Sequence, residues 1–262
     1  MNRIEAKLAE LKSKKEKAFI TYMTAGLPDM EGCQKIIKAQ EEAGTDILEL
    51  GIPFSDPVAD GPVIQDASYR SILKGTNLTK VFDMVKELRN SCEIPIVFMM
   101  YYNTILHYGV EKFVNTCSEI GIDGLIIPDL PFEEQGELKQ YLGDEKSPVL
   151  IQLVSPVSKE RVPMLLKDAR GFVYCVSSMG VTGQASGFHK NVENYLAEVK
   201  NQSDIPVMMG FGIKTAKDVE NVKHTIDGCI VGSHFIQLME DAEYNIEKIK
   251  NYIIEFKKQL NE

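Results

Sequence analysis

Two hydrophobic periods alternate along the whole chain, and few folds accept such a pattern. Short, nearly continuous apolar runs recur eight times, at 19–23, 47–50, 96–100, 125–127, 149–154, 172–176, 207–209 and 229–231. Runs that are apolar at almost every position suit parallel strands covered on both faces. Between them apolar residues recur at helical spacing: Leu78, Val81, Phe82, Val85 and Leu88; Val110, Phe113, Val114 and Cys117; Val162, Leu165, Leu166 and Ala169; Ile246, Ile249, Ile253 and Phe256. Charged residues fill the opposite sides of these stretches. Asn77, Ser158 and Thr215 stand where helix starts are expected.

Eight strands alternating with helices specify a parallel α/β architecture. An open, doubly wound sheet and a closed barrel both satisfy it. The chain has 262 residues, and a typical eight-stranded barrel has ~250. Length and strand count together favour a (β/α)8 TIM barrel, a single domain over 1–262. No Gly-x-Gly-x-x-Gly follows the first run, which weakens the dinucleotide-binding alternative. Ile4, Leu8 and Leu11 predict an N-terminal capping helix. The stretch 63–73 predicts an extra helix after strand two, and 234–239 a short one after strand eight.

The formal net charge is −9, so no basic surplus exists to neutralise nucleic-acid phosphates. No apolar run approaches the ~20 residues that span a bilayer. The opening residues read as an amphipathic charged segment rather than a secretory leader. Five cysteines lie far apart with no Cys-x-x-Cys pair, which points to reduced thiols in a cytoplasmic protein. His107, His189, His224 and His234 show no metal-ligand spacing, so no metal is expected.

In a barrel the chemistry sits at the C-terminal ends of the strands. Strand alternation puts Ile47, Glu49 and Gly51 on one face, and Leu48 and Leu50 on the other. Glu49 then points into the barrel mouth. Poor solvation there raises a carboxyl pKa and suits it to acid–base work near neutral pH; a structural pairing with Lys or Arg is the competing reading. Asp56 and Asp60 lie in the proline-rich loop that follows, where either can return over the mouth or merely solvate a turn. Glycine-bearing turns end three consecutive strands, at Gly180 and Gly183, Gly210 and Gly212, and Gly232 before Ser233. Such turns bring backbone N–H groups close to an anion, and loops after the last two strands commonly hold phosphate in barrels. Tyr101, Asp129 and Tyr174, at or near strand ends, are weaker polar candidates, with a satisfied core or rim role as the competing reading.

The run from Leu48 through Glu49, Pro53-Phe54-Ser55-Asp56-Pro57 and Asp60-Gly61-Pro62 to Gln65 closely resembles the signature of the tryptophan synthase α-subunit family. Thr24-Ala25-Gly26-Leu27-Pro28, Pro128-Asp129-Leu130-Pro131, Ser177-Ser178-Met179-Gly180-Val181-Thr182-Gly183 and Gly210-Phe211-Gly212-Ile213 resemble it too, in order and at family spacing. The resemblance implies retro-aldol cleavage of indole-3-glycerol phosphate to indole and glyceraldehyde 3-phosphate. It implies that Glu49 serves the proton transfers and that Asp60 accepts the indole N–H and stabilises positive charge on the ring. Tyr174 would help position substrate or Glu49, and Thr182, on a lid from Gly180 to about His189, would bond Asp60 on closure. Tyr22, Ile64, Met99 and Ile127 would surround the ring, and Gly183, Gly212, Gly232 and Ser233 would hold the phosphate. No cofactor is implied for this chain, pyridoxal phosphate being expected only in a β subunit. That partner, in an αββα heterotetramer, would contact Pro53, Asp56, Pro57 and, in the loop after strand three, Asn103. Two other readings stay open on the residues alone: a catalytically silent subunit that activates a partner, and another phosphate-binding barrel enzyme.

Overall fold

The computed structural model describes residues 2–143, 145–176, 188–210 and 212–262. Nine parallel strands form one sheet: β1 Ala18–Thr24, β2 Ile47–Gly51, β3 Ile96–Met99, β4 Gly124–Ile126, β5 Val149–Leu150, β6 Gln152–Val154, β7 Val173–Val176, β8 Val207–Gly210 and β9 Gly228–Val231. Their order is β5-β4-β3-β2-β1-β9-β8-β7-β6. The two end strands, β5 and β6, are halves of the single run expected over 149–154. β5 pairs with β4, and β6 pairs with β7. The chain itself therefore closes the barrel at Ile151, whose N–H still donates to the Leu125 carbonyl at 2.9 Å. Closure requires staggered registers, and this run changes partner midway to supply the stagger.

The alternation of faces divides the apolar residues into two clusters. Ile20, Ile47, Val97, Ile151, Met208 and Ile230 fill the barrel interior. Leu48, Leu50 and their equivalents pack outward against the helices. The helix Arg3–Lys14 plugs the N-terminal end, adding Ile4, Leu8 and Leu11 to the interior cluster. Its start is fixed by Asn2, whose side chain accepts from Ile4 N–H at 2.9 Å and donates to the Asp123 carbonyl at 2.8 Å.

A repeated aspartate pins the strand starts at this plugged end. Asp46, Asp123 and Asp227 each directly precede a strand (β2, β4 and β9). Each carboxylate accepts a backbone N–H at or near the start of the strand before it: Phe19 at 2.7 Å, Ile96 at 2.9 Å and Val207 at 2.7 Å. Each also meets a cation, respectively Lys257, Arg89 and Lys200. These ties all lie at the plugged end, opposite the loops that follow the strands.

The extra helices occur as Pro62–Leu73 after β2 and Ser233–Asp241 after β9. Asn77 caps Leu78–Leu88, and Thr215 forms a capping box with Asp218 at the 3-10 helix Ala216–Val222. Ser158 is not a cap. It lies inside a 3-10 segment, Pro156–Arg161, with its hydroxyl 2.9 Å from that of Ser155, and the short helix Val162–Leu166 follows Arg161 with no side-chain cap, Pro163 standing in its first turn. Among the described residues no helix is long and apolar enough to cross a membrane.

Candidate active site

Parallel register sets Tyr22, Glu49 and Val97 side by side, and one step nearer the mouth it aligns Thr24, Gly51 and Met99. Glu49 therefore stands directly above the apolar plug of the barrel. It is only 2 % exposed, and its Oε2 has no hydrogen-bond partner among the described residues. No lysine or arginine pairs with it there. Burial first, and the negative charge of Asp60 second, push its carboxyl up to about 8. A buried, orphaned carboxyl costs stability, and carboxyls perturbed in this way cluster at functional sites.

Asp60 closes the loop after β2. Burial raises its carboxyl to about 6, against a hydrogen bond from Tyr101 that pulls the value down. That bond, from the Tyr101 hydroxyl to Asp60 Oδ2, is 3.0 Å long. The same hydroxyl accepts from Ala59 N–H at 2.9 Å, and the Tyr101 ring stacks on Phe54 with centroids 5.0 Å apart. Tyr101, a weaker candidate on its position just past β3, is thus brought against Asp60 by a contact that the sequence did not disclose. The Gln65 side-chain amide donates to the Asp60 carbonyl at 2.8 Å and fixes the loop's far end.

Two glycines make room for two tyrosines inside the mouth. A Cβ on Gly51 would lie 2.0 Å from the Tyr22 hydroxyl, and one on Gly210 would lie 2.4 Å from the Tyr174 ring. Burial holds both phenols well above their ordinary range, so both stay protonated. Met99 is half-buried at the end of β3, and Ile127 is buried just past β4. Ile64 projects from Pro62–Leu73, half-buried. Tyr22, Met99, Ile127 and Tyr174 therefore gather at the strand ends, with Ile64 on the neighbouring helix. The Thr24–Pro28 motif supports this side: Ser71 on the same helix donates to the Ala25 carbonyl at 2.6 Å.

Gly212 has φ +72, and nothing within 4 Å opposes a side chain there; its backbone conformation explains the glycine. At Gly232, φ is −102 and an added Cβ would make only an ordinary 3.9 Å contact with Tyr22. Packing does not demand glycine at that point. Ser233 is exposed and opens the helix Ser233–Asp241, where free N–H groups and the dipole favour negative charge. Gly180, Thr182, Gly183 and Phe211, with the 177–187 stretch of the lid motif, lie outside the described residues.

Of the expected partner-facing residues, Asp56 and Asn103 are exposed, Pro53 is half-buried and Pro57 is buried. Asn103 lies in a helix, Tyr102–Tyr108, where a loop was expected. Asp129 fixes the start of that helix by accepting Tyr102 N–H at 2.9 Å, a structural role. Large apolar side chains stand open nearby, Val58 at 84 % and Leu106 at 48 % exposure. All five cysteines are buried and unpaired. Among the described residues no group of three or more His, Cys, Asp or Glu is placed to hold a metal ion.

The family model described as tryptophan synthase alpha chain matches residues 8–262. The tryptophan synthase alpha chain of Lachnospira eligens is 62% identical over 263 residues, with 100% of both chains covered. The solved tryptophan synthase subunit alpha from Legionella pneumophila superposes with a TM-score of 0.89 at 32% identity, covering 99% of this chain and 98% of that one. A chain of Mycobacterium tuberculosis tryptophan synthase gives 0.89 at 30% identity, covering 100% and 99%.

Proposed function

The chain belongs to the tryptophan synthase alpha chain family, carbon–carbon lyases that cleave indole-3-glycerol phosphate, and we propose that Glu49 and Asp60 carry that reaction here. The observation behind this reading is the separation of two neighbouring carboxyls. With Glu49 near 8 and Asp60 near 6, the first holds its proton at pH 7 and the second has lost it. Environments that push paired carboxyls apart assign acid and base roles.

Glu49 delivers its proton to indole C3, which leaves an indolenine with positive charge at the ring nitrogen. Asp60, ionised, accepts the ring N–H and stabilises that charge as it develops. The Glu49 carboxylate then takes the proton of the glycerol hydroxyl beside the bond. The C–C bond breaks, its electrons restore the aromatic ring, and the hydroxyl carbon becomes the aldehyde of glyceraldehyde 3-phosphate. Glu49 ends as it began, protonated. Tyr22, Ile64, Met99 and Ile127 surround the indole, Tyr174 orients Glu49 or substrate, and Gly212, Gly232 and Ser233 receive the phosphate; the family resemblance adds Gly183 to the phosphate site and Thr182 as a bond to Asp60. This chain needs no cofactor of its own for such chemistry.

A β subunit carrying pyridoxal phosphate is the proposed partner, in an αββα assembly within the cytoplasm. Exposed Val58 and Leu106, beside Asp56 and Asn103, support docking across the loop and helix that flank Asp60. The test is release of glyceraldehyde 3-phosphate from indole-3-glycerol phosphate, with and without a β subunit. Release is expected alone, and the partner should raise it within the ~5–150-fold span of ordinary coupling energies. Folded protein that releases none in either state would favour the silent-subunit reading, and turnover of a phosphorylated sugar instead would favour another barrel enzyme. The profile of kcat/KM against pH should be a bell, with its acid limb near 6 from Asp60 and its alkaline limb near 8 from Glu49. A flat profile with chemistry rate-limiting counts against these roles.

A further inference from the structure

We propose that Tyr101 is a positioning residue for the lyase reaction, acting through Asp60; this rests on Asp60 having the role given above. Its side chain is 4 % exposed and makes three ties to the loop after β2. The hydroxyl donates to Asp60 Oδ2 at 3.0 Å. It accepts from Ala59 N–H at 2.9 Å through a lone pair, which leaves its own hydrogen for the carboxylate. The ring stacks on Phe54, six residues before Asp60, with an interplanar angle of 20°. One side chain thus grips the loop ahead of Asp60, at its backbone neighbour and at its carboxylate.

The grip reaches across 41 and 42 positions in sequence, from a rigid strand end to a loop. Pro57 and Pro62 stiffen parts of that loop, but nothing local sets the Asp60 carboxylate. An electrostatic group works only when it is held where charge develops, without reorganising. Tyr101 supplies that hold and leaves the other oxygen, Oδ1, for the ring N–H. The titratable groups that feel Asp60 are Glu49 on β2, Tyr22 on β1, Tyr174 on β7 and Tyr101 itself; Asp129 also faces Tyr101. Among the described residues no cation competes with the phenol for this carboxylate.

Tyr101→Phe removes the hydroxyl and keeps the stacked ring. It should lower kcat/KM about 10–100-fold, mostly in kcat, with an unchanged melting temperature within a few degrees. The acid limb should move to higher pH, because a bond that favours ionised Asp60 is gone. In an Asp60→Asn background the same change should cost nothing more, since residues acting as one unit are not additive. An unmoved acid limb, or a loss that adds in full to that of Asp60→Asn, overturns the proposal while leaving Asp60 its role. Wild-type turnover in Asp60→Asn itself overturns the underlying reading instead. If Tyr101→Phe fails to fold, Phe54→Leu keeps the hydroxyl and loosens only the ring; a smaller loss with the limb moved the same way is expected, and an unmoved limb refutes the proposal.

Discussion

Glu49→Gln should abolish turnover of indole-3-glycerol phosphate, with a fall in kcat on the order of 10⁴-fold. General acid–base catalysis is worth 10² to 10⁴, and one residue here serves both proton transfers. Gln keeps the shape and polarity of the protonated acid but can neither give nor take a proton at neutral pH. Binding of the product glyceraldehyde 3-phosphate should be nearly unchanged, because the proposed phosphate groups at Gly212, Gly232 and Ser233 belong to other loops. The measurement is single-turnover release beside a product-binding titration on the same preparation. Retained turnover would sink the assignment. Lost turnover with lost product binding would point to a collapsed mouth rather than missing chemistry.

The inward aim of Glu49 was legible because period-2 alternation is strict. A charge inside an apolar run must face one side, and Leu48 and Leu50 claimed the helical side. Capping of the barrel by Ile4, Leu8 and Leu11 was legible for the same reason, at helical spacing. The grip of Tyr101 on Asp60 was not. It depends on how a ten-residue loop folds back across a neighbouring strand, and no local pattern encodes a contact 41 positions away. The split of the fifth run was hidden too, since one glutamine, Gln152, in an otherwise apolar stretch from Val149 to Val154 does not announce a change of partner, and only barrel closure forces one. Asp46, Asp123 and Asp227 look like ordinary turn residues until the strands are placed beside one another and each is seen to hold an amide at or near its neighbour's start.

The carboxyl that carries the chemistry should also weaken the fold, in a pH window that its titration defines. Glu49 is raised from an ordinary 4.5 to about 8. Between those two values the unfolded chain has released the proton and the folded chain still holds it. The folded state binds more protons, so stability falls as pH rises through the window, and the full penalty is reached above about 8. Below 4.5 both states are protonated and the penalty vanishes. At about 1.4 kcal/mol for each pH unit between the two values, the loss amounts to about 3–5 kcal/mol. Glu49→Gln does not titrate and escapes it. The variant should therefore melt with wild-type protein at pH 4 and above it at pH 8.5, by on the order of 10 °C for a chain of this size. Thermal melts of both proteins across that range decide the matter, because apart from Asp60, Tyr22 and Tyr174, which couple to Glu49, the titrating groups are common to the pair and cancel. A gap independent of pH would mean that Glu49 is ionised and solvated in the folded state. The proton-delivery role would then fall with it, since the same desolvation that costs stability is what keeps a proton on this carboxyl at pH 7.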